Sequence, residues 1–207
     1  MVMTAHRLTA APPRLPRAIG LALALLLAGC GEEPQVAEEK TDPPLVAAAE
    51  SGDLPRVLAL LDARSDADSR DLCQWTPLMK AALYGHTEVA RQLLAAGAQP
   101  ELADTGGYTA LMLAASNDHH ETVRLLLDHG AALDRVEVTG GVNALIWAAK
   151  RGHIETVRIL LAAGARTDLR DRQGRSALDW AESRGEPDLV AAILRGGPGL
   201  AAGSGAG

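Results

Sequence analysis

The sequence predicts an all-α protein, an α-solenoid of about five helix–turn–helix repeats joined by hairpin fingers. Three observations carry the prediction. Leu45, Leu78, Leu111, Leu145 and Leu178 recur at steps of 33, 33, 34 and 33 residues. Gly97-Ala98, Gly130-Ala131 and Gly164-Ala165 recur at steps of 33 and 34. The small pairs Ala81-Ala82, Ala114-Ala115 and Ala148-Ala149 hold the same phase between those marks. Separate marks that keep one period of this size define a chain of stacked supersecondary units.

The unit that begins at Asp71 shows why each half is helical. Thr76 is a good N-cap, and Pro77 suits the first helical position, where its missing N–H costs nothing. Leu78, Ala81 and Ala82 fall on one face at i, i+3 and i+4. Gly85 can adopt positive φ and end that helix. A second helix follows with Val89, Leu93 and Leu94 on its apolar side, and Gly97 closes it. Two helices this short cannot bury their apolar faces alone, so they must stack on neighbouring units. The small alanine pairs allow close approach, which explains a core without any phenylalanine.

The run Thr76-Pro77-Leu78, the alanine pair, Gly85-His86 and the Gly-Ala close resemble the ankyrin repeat. That resemblance implies a non-catalytic protein-binding module that uses its finger tips and the concave side of its first helices. It also exposes one departure. The family's Thr-Pro-Leu-His histidine is Met79, Met112, Ile146 and Asp179 here. Because that histidine braces the hairpin, the fingers are expected to be held more by apolar packing.

The units are expected at about 43–70, 71–103, 104–136, 137–170 and 171–196. The first is in phase through Leu45 and Gly52, but has Arg64-Ser65 at the close and no Thr-Pro entry, as befits an N-terminal cap. The fourth carries one extra residue within AALDRVEVTGGV, where Leu133, Val136 and Val138 beside Gly140-Gly141 predict a lengthened finger hairpin. The fifth, rich in Asp179, Glu182, Arg184, Glu186 and Asp188, reads as the C-terminal cap. Residues 197–207 read as a flexible tail.

Residues 1–29 read as a targeting segment. Arg7, Arg14 and Arg17 are its basic residues, it has no acidic ones, and an apolar run follows from Ala18 to Ala28. The run is too short to span a bilayer, which takes roughly 20 residues, but suits a signal-peptide core. Leu27-Ala28-Gly29-Cys30 resembles the bacterial lipobox, which implies cleavage before Cys30 and lipidation of that residue. Gly31 resembles the following residue of an outer-membrane-sorted lipoprotein. Two or more acyl chains would anchor the chain stably. The expected location is therefore the periplasmic side of the envelope, on the outer membrane. Residues 30–42, acidic and without apolar periodicity, read as a solvated tether.

The chain carries 20 basic and 26 acidic residues, a formal charge of −6. Cleavage would remove three arginines and leave 17 against 26, or −9. Such a balance argues against nucleic acid and anionic lipid, which need a basic surface, and weakly favours a basic partner. With Cys30 acylated, Cys73 is the remaining cysteine and no internal disulfide is possible.

Chemical sites find little support. His86, His119 and His153 occupy one repeat position each; stacked units hold such positions about 10 Å apart, too far for a shared zinc at about 2.1 Å. They are expected to cap, not to bind metal. No nucleophile elbow, phosphate loop or paired carboxylates are present, so neither catalytic residues nor a cofactor are predicted. Cys73, near a finger tip, offers an alternative reading as a redox-responsive thiol. A plain envelope spacer is another.

The positive signal is the recognition surface that the resemblance implies. It maps to Trp75, Leu83 and Tyr84 in the second unit, Tyr108, Ser116 and Asn117 in the third, Val142, Lys150 and Arg151 in the fourth, and Arg175, Ser183 and Arg184 in the fifth. Three of the five aromatics fall in this set, and Trp, Tyr and Arg dominate binding hot spots. Trp147 and Trp180 are expected to serve packing. The expected partner is a protein of unknown identity, with either an enzyme to scaffold and protect or an incoming toxin to neutralise.

Overall fold

The computed structural model describes residues 42–196. Among the described residues there are ten α-helices and no strand: α1 Pro44–Ser51, α2 Leu54–Asp62, α3 Pro77–Tyr84, α4 Thr87–Ala95, α5 Ala110–Ser116, α6 His120–Asp128, α7 Ala144–Arg151, α8 Ile154–Ala162, α9 Ala177–Arg184 and α10 Pro187–Gly196. The protein is thus an all-helical solenoid. The expected lipid site Cys30, the tether and the tail at 197–207 lie outside the described residues, apart from Asp42.

The helices form two layers. α1, α3, α5, α7 and α9 pack in series, and α2, α4, α6, α8 and α10 pack in series behind them. One continuous apolar core runs between the layers. Ala48-Ala49, Ala81-Ala82, Ala114-Ala115 and Ala148-Ala149 are each at most 1% exposed. They form the seam where first helices meet. Leu45, Leu78, Leu111 and Leu145 are also at most 1% exposed, and each such side chain contributes about 1.5–3 kcal/mol by burial.

Local signals explain the helix starts. Thr76, Thr109, Asn143 and Ser176 sit in extended conformation and accept the N–H three residues on, from Met79, Met112, Ile146 and Asp179. At α9 the cap is reciprocal, because the Asp179 carboxylate accepts the Ser176 N–H in return. That gives the fifth unit a use for an acid at the slot where other units bury Met79, Met112 and Ile146.

The histidines cap, though not their own helices. The ring Nε2 of His86, His119 and His153 lies 3.1, 3.0 and 3.2 Å from the carbonyl oxygens of Glu50, Leu83 and Ser116. Those carbonyls belong to the last turns of α1, α3 and α5, which lack intrahelical partners. Each histidine therefore ties one repeat to the repeat before it. The rings of His86 and His119 also abut a glycine, Gly52 and Gly85, whereas His153 faces Asp118, which holds the same left-handed turn at φ 60°. A Cβ on Gly85, at φ +72°, would come within 2.5 Å of His119 Nδ1.

The fifth unit has Glu186 in the histidine slot and solves the same problem differently. Arg184 reaches back and donates to the Lys150 carbonyl at 3.3 Å, while Glu186 holds its guanidinium at 2.7 Å. The rear loops form a further ladder. Asp68, Glu101 and Asp134 each accept the backbone N–H of the next unit, from Gln99, Ala132 and Arg166.

The fingers correct one expectation. They are held by half-buried and buried carboxylates, more than by apolar packing. Asp71 accepts the N–H groups of Cys73 and Trp75, Asp104 those of Gly106 and Tyr108, and Asp171 those of Gln173 and Arg175. They are turns rather than hairpins of strand, with a single isolated bridge between Ala103 and Thr109.

The extra residue falls in the fourth finger. There the closing bond runs from Glu137 N–H to the Val142 carbonyl, spanning five positions, where the others span four (Asp71 to Trp75, Asp104 to Tyr108, Asp171 to Arg175). The longer turn is matched by a longer acid. Glu137, 1% exposed, accepts from Thr139 N–H and Oγ, Gly140 N–H and Val142 N–H. The lengthened finger also reaches both neighbours: Val138 N–H donates to the Gly106 carbonyl, and Arg172 N–H to that of Gly140.

Candidate functional site

The first helices and fingers present one continuous face, and its two halves differ in charge. In the second unit, the Lys80 ammonium lies 5.1 Å from the Trp75 ring centroid. It is neutralised there by Glu50 at 3.1 Å and approached by Asp71 at 3.9 Å. The Tyr84 hydroxyl donates to the same Glu50. This end of the face is closed on itself.

In the fourth and fifth units the cations rest on rings. Lys150 Nζ lies 5.1 Å from the Trp147 centroid and 4.7 Å from that of Trp180. Arg175 sits 3.7 Å over Trp180, and Arg151 lies 5.8 Å from Trp147. Tyr108 extends the run, tilted against Trp147 at 6.2 Å, with its hydroxyl 3.4 Å from Thr139 Oγ. An aromatic face attracts a cation through its quadrupole and leaves the cation's charge and most of its N–H donors free. Helix spacing builds the cluster: Trp147, Lys150 and Arg151 stand at i, i+3 and i+4 on α7.

Buried acids beneath the face fix its geometry. Asp171 accepts the Trp180 Nε1–H at 2.9 Å, which orients the ring that carries Arg175. Burial pushes the Asp171 carboxyl up, but hydrogen bonds from the Arg175 and Gln173 N–H groups and from Trp180 outweigh it and hold its pKa low. Glu137 behaves the same way: burial raises it, and the bonds from Thr139, Val142 and Gly140 bring it below the ordinary carboxylate value. Both oxygens of Glu137 serve the longer turn. Trp147 Nε1, the counterpart of Trp180 Nε1, accordingly has no hydrogen-bond partner among the described residues.

The residues picked out by the sequence fare unequally. Lys150, Arg151 and Arg175 come together as described, and Tyr108 joins them through Trp147. Trp75 is half-buried, with its backbone N–H bonded to Asp71. Tyr84 is exposed and stacked on His86 with centroids 6.1 Å apart. Leu83 is half-buried against the core. Ser116 donates to the Leu113 carbonyl, as does the exposed Asn117, and the exposed Ser183 donates to that of Trp180. Arg184 is committed to Lys150 and Glu186.

Val142 is a correction. It is 4% exposed and part of the core, because the extra residue of its finger turns it inward beneath Glu137. It presents nothing to a partner. The structure also adds Trp147 and Trp180, expected to pack only. Their spacing from Lys150 and Ser183 on one helix face was the signal that set them on the recognition side.

Cys73 is exposed at the first finger, with its backbone N–H on Asp71. Among the described residues no three His, Cys, Asp or Glu side chains come together in a group that could hold a metal ion. None of the described helices is long and apolar enough to cross a membrane.

A two-layer array of stacked helix pairs with a continuous face of half-buried and exposed aromatic and cationic side chains is a repeat-protein interaction module. The model for ankyrin repeats in three copies matches residues 45–137 and again 132–200, and the chain belongs to the ankyrin-repeat family. No curated protein matches the chain.

Proposed function

We propose that this chain is a lipid-anchored recognition protein that holds a protein partner against the concave side of its first helices and its finger tips. The observation that carries the reading is the run of exposed Arg151 and half-buried Trp147, Lys150, Trp180 and Arg175, in which cations rest on rings and form no ion pair among the described residues. Trp and Arg are the residue types that dominate binding energy when a partner desolvates them.

The lipobox-like Leu27-Ala28-Gly29-Cys30 supports attachment of the chain by acyl groups on Cys30, on the periplasmic side of the outer membrane. The acidic tether would then set the repeats away from the bilayer. Within this reading the partner is either an envelope enzyme that the module scaffolds and protects or a toxin that it blocks.

Two experiments test the proposal. Labelled palmitate should enter the wild-type chain and not Cys30→Ser; equal labelling of both removes the anchor. In native cells, cross-linking should join wild type to a specific protein that a folded Tyr84→Ala/Tyr108→Ala/Arg151→Ala variant no longer captures. An unchanged set of cross-links with that variant refutes the recognition face.

A further inference from the structure

We infer that the segment of the partner seated on the fourth and fifth units is acidic: an extended peptide stretch carrying two or more Asp or Glu side chains. This rests on the recognition reading above and narrows it, and it reverses the basic partner that net charge alone favours.

The chain as a whole is negative, at −6, and half of the Lys and Arg side chains among the described residues are already answered. Lys80, Arg91, Arg124, Arg135, Arg158, Arg166, Arg170 and Arg184 all form ion pairs with Asp or Glu. Of the others, Arg56 and Arg195 lie on the second-layer helices α2 and α10 and Arg64 and Arg70 at the end of the first unit, whereas Lys150, Arg151, Arg172 and Arg175 belong to the fourth and fifth units. Among the described residues none of the four forms such a pair, and they share one stretch of surface. Two tryptophan faces position Lys150, a third contact places Arg175 at 3.7 Å over Trp180, and Arg172 is tied to the neighbouring finger through the Val138 carbonyl. These cations are oriented before any ligand arrives, and they are not neutralised.

Nearby acids do not undo this. Glu137 and Asp171 lie beneath the face with their oxygens turned into the finger turns and Trp180. Asp179 is held by Ser176 and Arg170, and Glu186 by Arg184. Glu182 is exposed on α9, the helix that carries Trp180, and is an opposing charge on that helix.

Carboxylates are the matching class. Guanidinium and ammonium donors meet them in short charge-assisted bonds, and the methylenes of Asp and Glu can lie along the Trp147 and Trp180 rings. A nucleic acid or an anionic bilayer would bring phosphates, but each is a long polyanion that must also face the acidic remainder of the chain. A short peptide meets only the local patch.

The test uses the full chain in mild detergent and follows tryptophan fluorescence during titration with hexaglutamate, hexalysine and a twelve-nucleotide thymidine oligomer. Hexaglutamate should bind in low salt, weaken steeply toward 1 M salt, where screening shortens to about 3 Å, and bind about tenfold or more weakly to Lys150→Glu/Arg175→Glu. A control, Arg91→Glu/Arg124→Glu on the second-layer helices, should bind like wild type, with circular dichroism confirming that both variants fold. Tighter binding of the oligonucleotide or of hexalysine overturns the inference, as does equal hexaglutamate affinity in both double variants. If the cellular cross-links still depend on Tyr84, Tyr108 and Arg151 in that case, the recognition face stands and only the acidic partner falls.

Discussion

Replacing Glu137 with alanine tests whether carboxylates at the finger bases, and not apolar contacts, hold the fingers. The substitution removes an acceptor and leaves its donors behind. Thr139 is exposed and Gly140 half-buried, so water can reach their N–H groups. Val142 is 4% exposed, and its N–H, 3.1 Å from the carboxylate, is left without an acceptor. An unpaired buried donor costs ~1–3 kcal/mol, and loss of bonds to a charged acceptor costs ~1.5–3 kcal/mol before solvent returns part of it. The expected destabilisation is about 3 kcal/mol, which lowers Tm by roughly 6–12 °C for a chain of this size. Urea and thermal unfolding of the full chain, followed by far-UV circular dichroism, measure it. Glu137→Asp should recover little, because its oxygens retract by one methylene from a turn that closes at Val142. Joining Glu137→Asp to deletion of Thr139 re-creates the Asp-x-Gly-Gly-x turn of Asp104 to Tyr108, and the pair should be more stable than the sum of the two changes predicts. A loss below about 0.5 kcal/mol for Glu137→Ala, within the range of an ordinary surface change, would refute the account.

The other predictions follow from the same ladders. Glu137 and Asp171 have lowered pKa values in the fold, so the stability they supply is complete above the unfolded values near ~4 and is lost as pH falls through the lowered folded values. Tm should therefore hold from neutral pH to about 5 and drop below ~4, and the drop should be shallower in Glu137→Ala; parallel curves for both chains would contradict this. Gly85→Ala meets His119 at 2.5 Å, whereas Gly185→Ala at φ +68° meets nothing within 4 Å. The second should lose about 1–2 kcal/mol from backbone strain alone, and the first about 1–2 kcal/mol more, through the displaced ring and its bond to Leu83; equal losses would deny the histidine its structural place. Arg184→Ala should cost ~0.5–1.5 kcal/mol, and adding Glu186→His should restore it by supplying the ring that the other units use; no rescue in urea melts would show that Arg184 does not replace the histidine.

What was legible in the sequence follows from which interactions repeat. The leucine, alanine and Gly-Ala marks recur because every stacked unit must bury the same faces, so phase alone yields the helix pairs and the core. The site was read less well, because it depends on departures from the repeat. Val142 falls in the same column as Trp75, Tyr108 and Arg175, yet the single inserted residue that lengthens its finger also turns it under Glu137, and a column alignment cannot see rotation. Trp147 and Trp180 look like core filler by composition, but each lies one position past the slot that holds buried Ile146 in the fourth unit and the capping Asp179 in the fifth. The acids at 71, 104, 137 and 171 mark the start of the second to fifth units, and Glu replaces Asp only where the turn is one residue longer. That correlation was available in the sequence, and it ties the two irregularities together. The insertion required a longer acid, the longer acid spent both oxygens on its turn, and Trp147 was left without the indole partner that Asp171 gives Trp180. Of the two rings that carry the uncommitted cations, Trp180 is therefore the one anchored from below and Trp147 the one that is not, which places the less anchored part of the face where the fourth unit breaks the period.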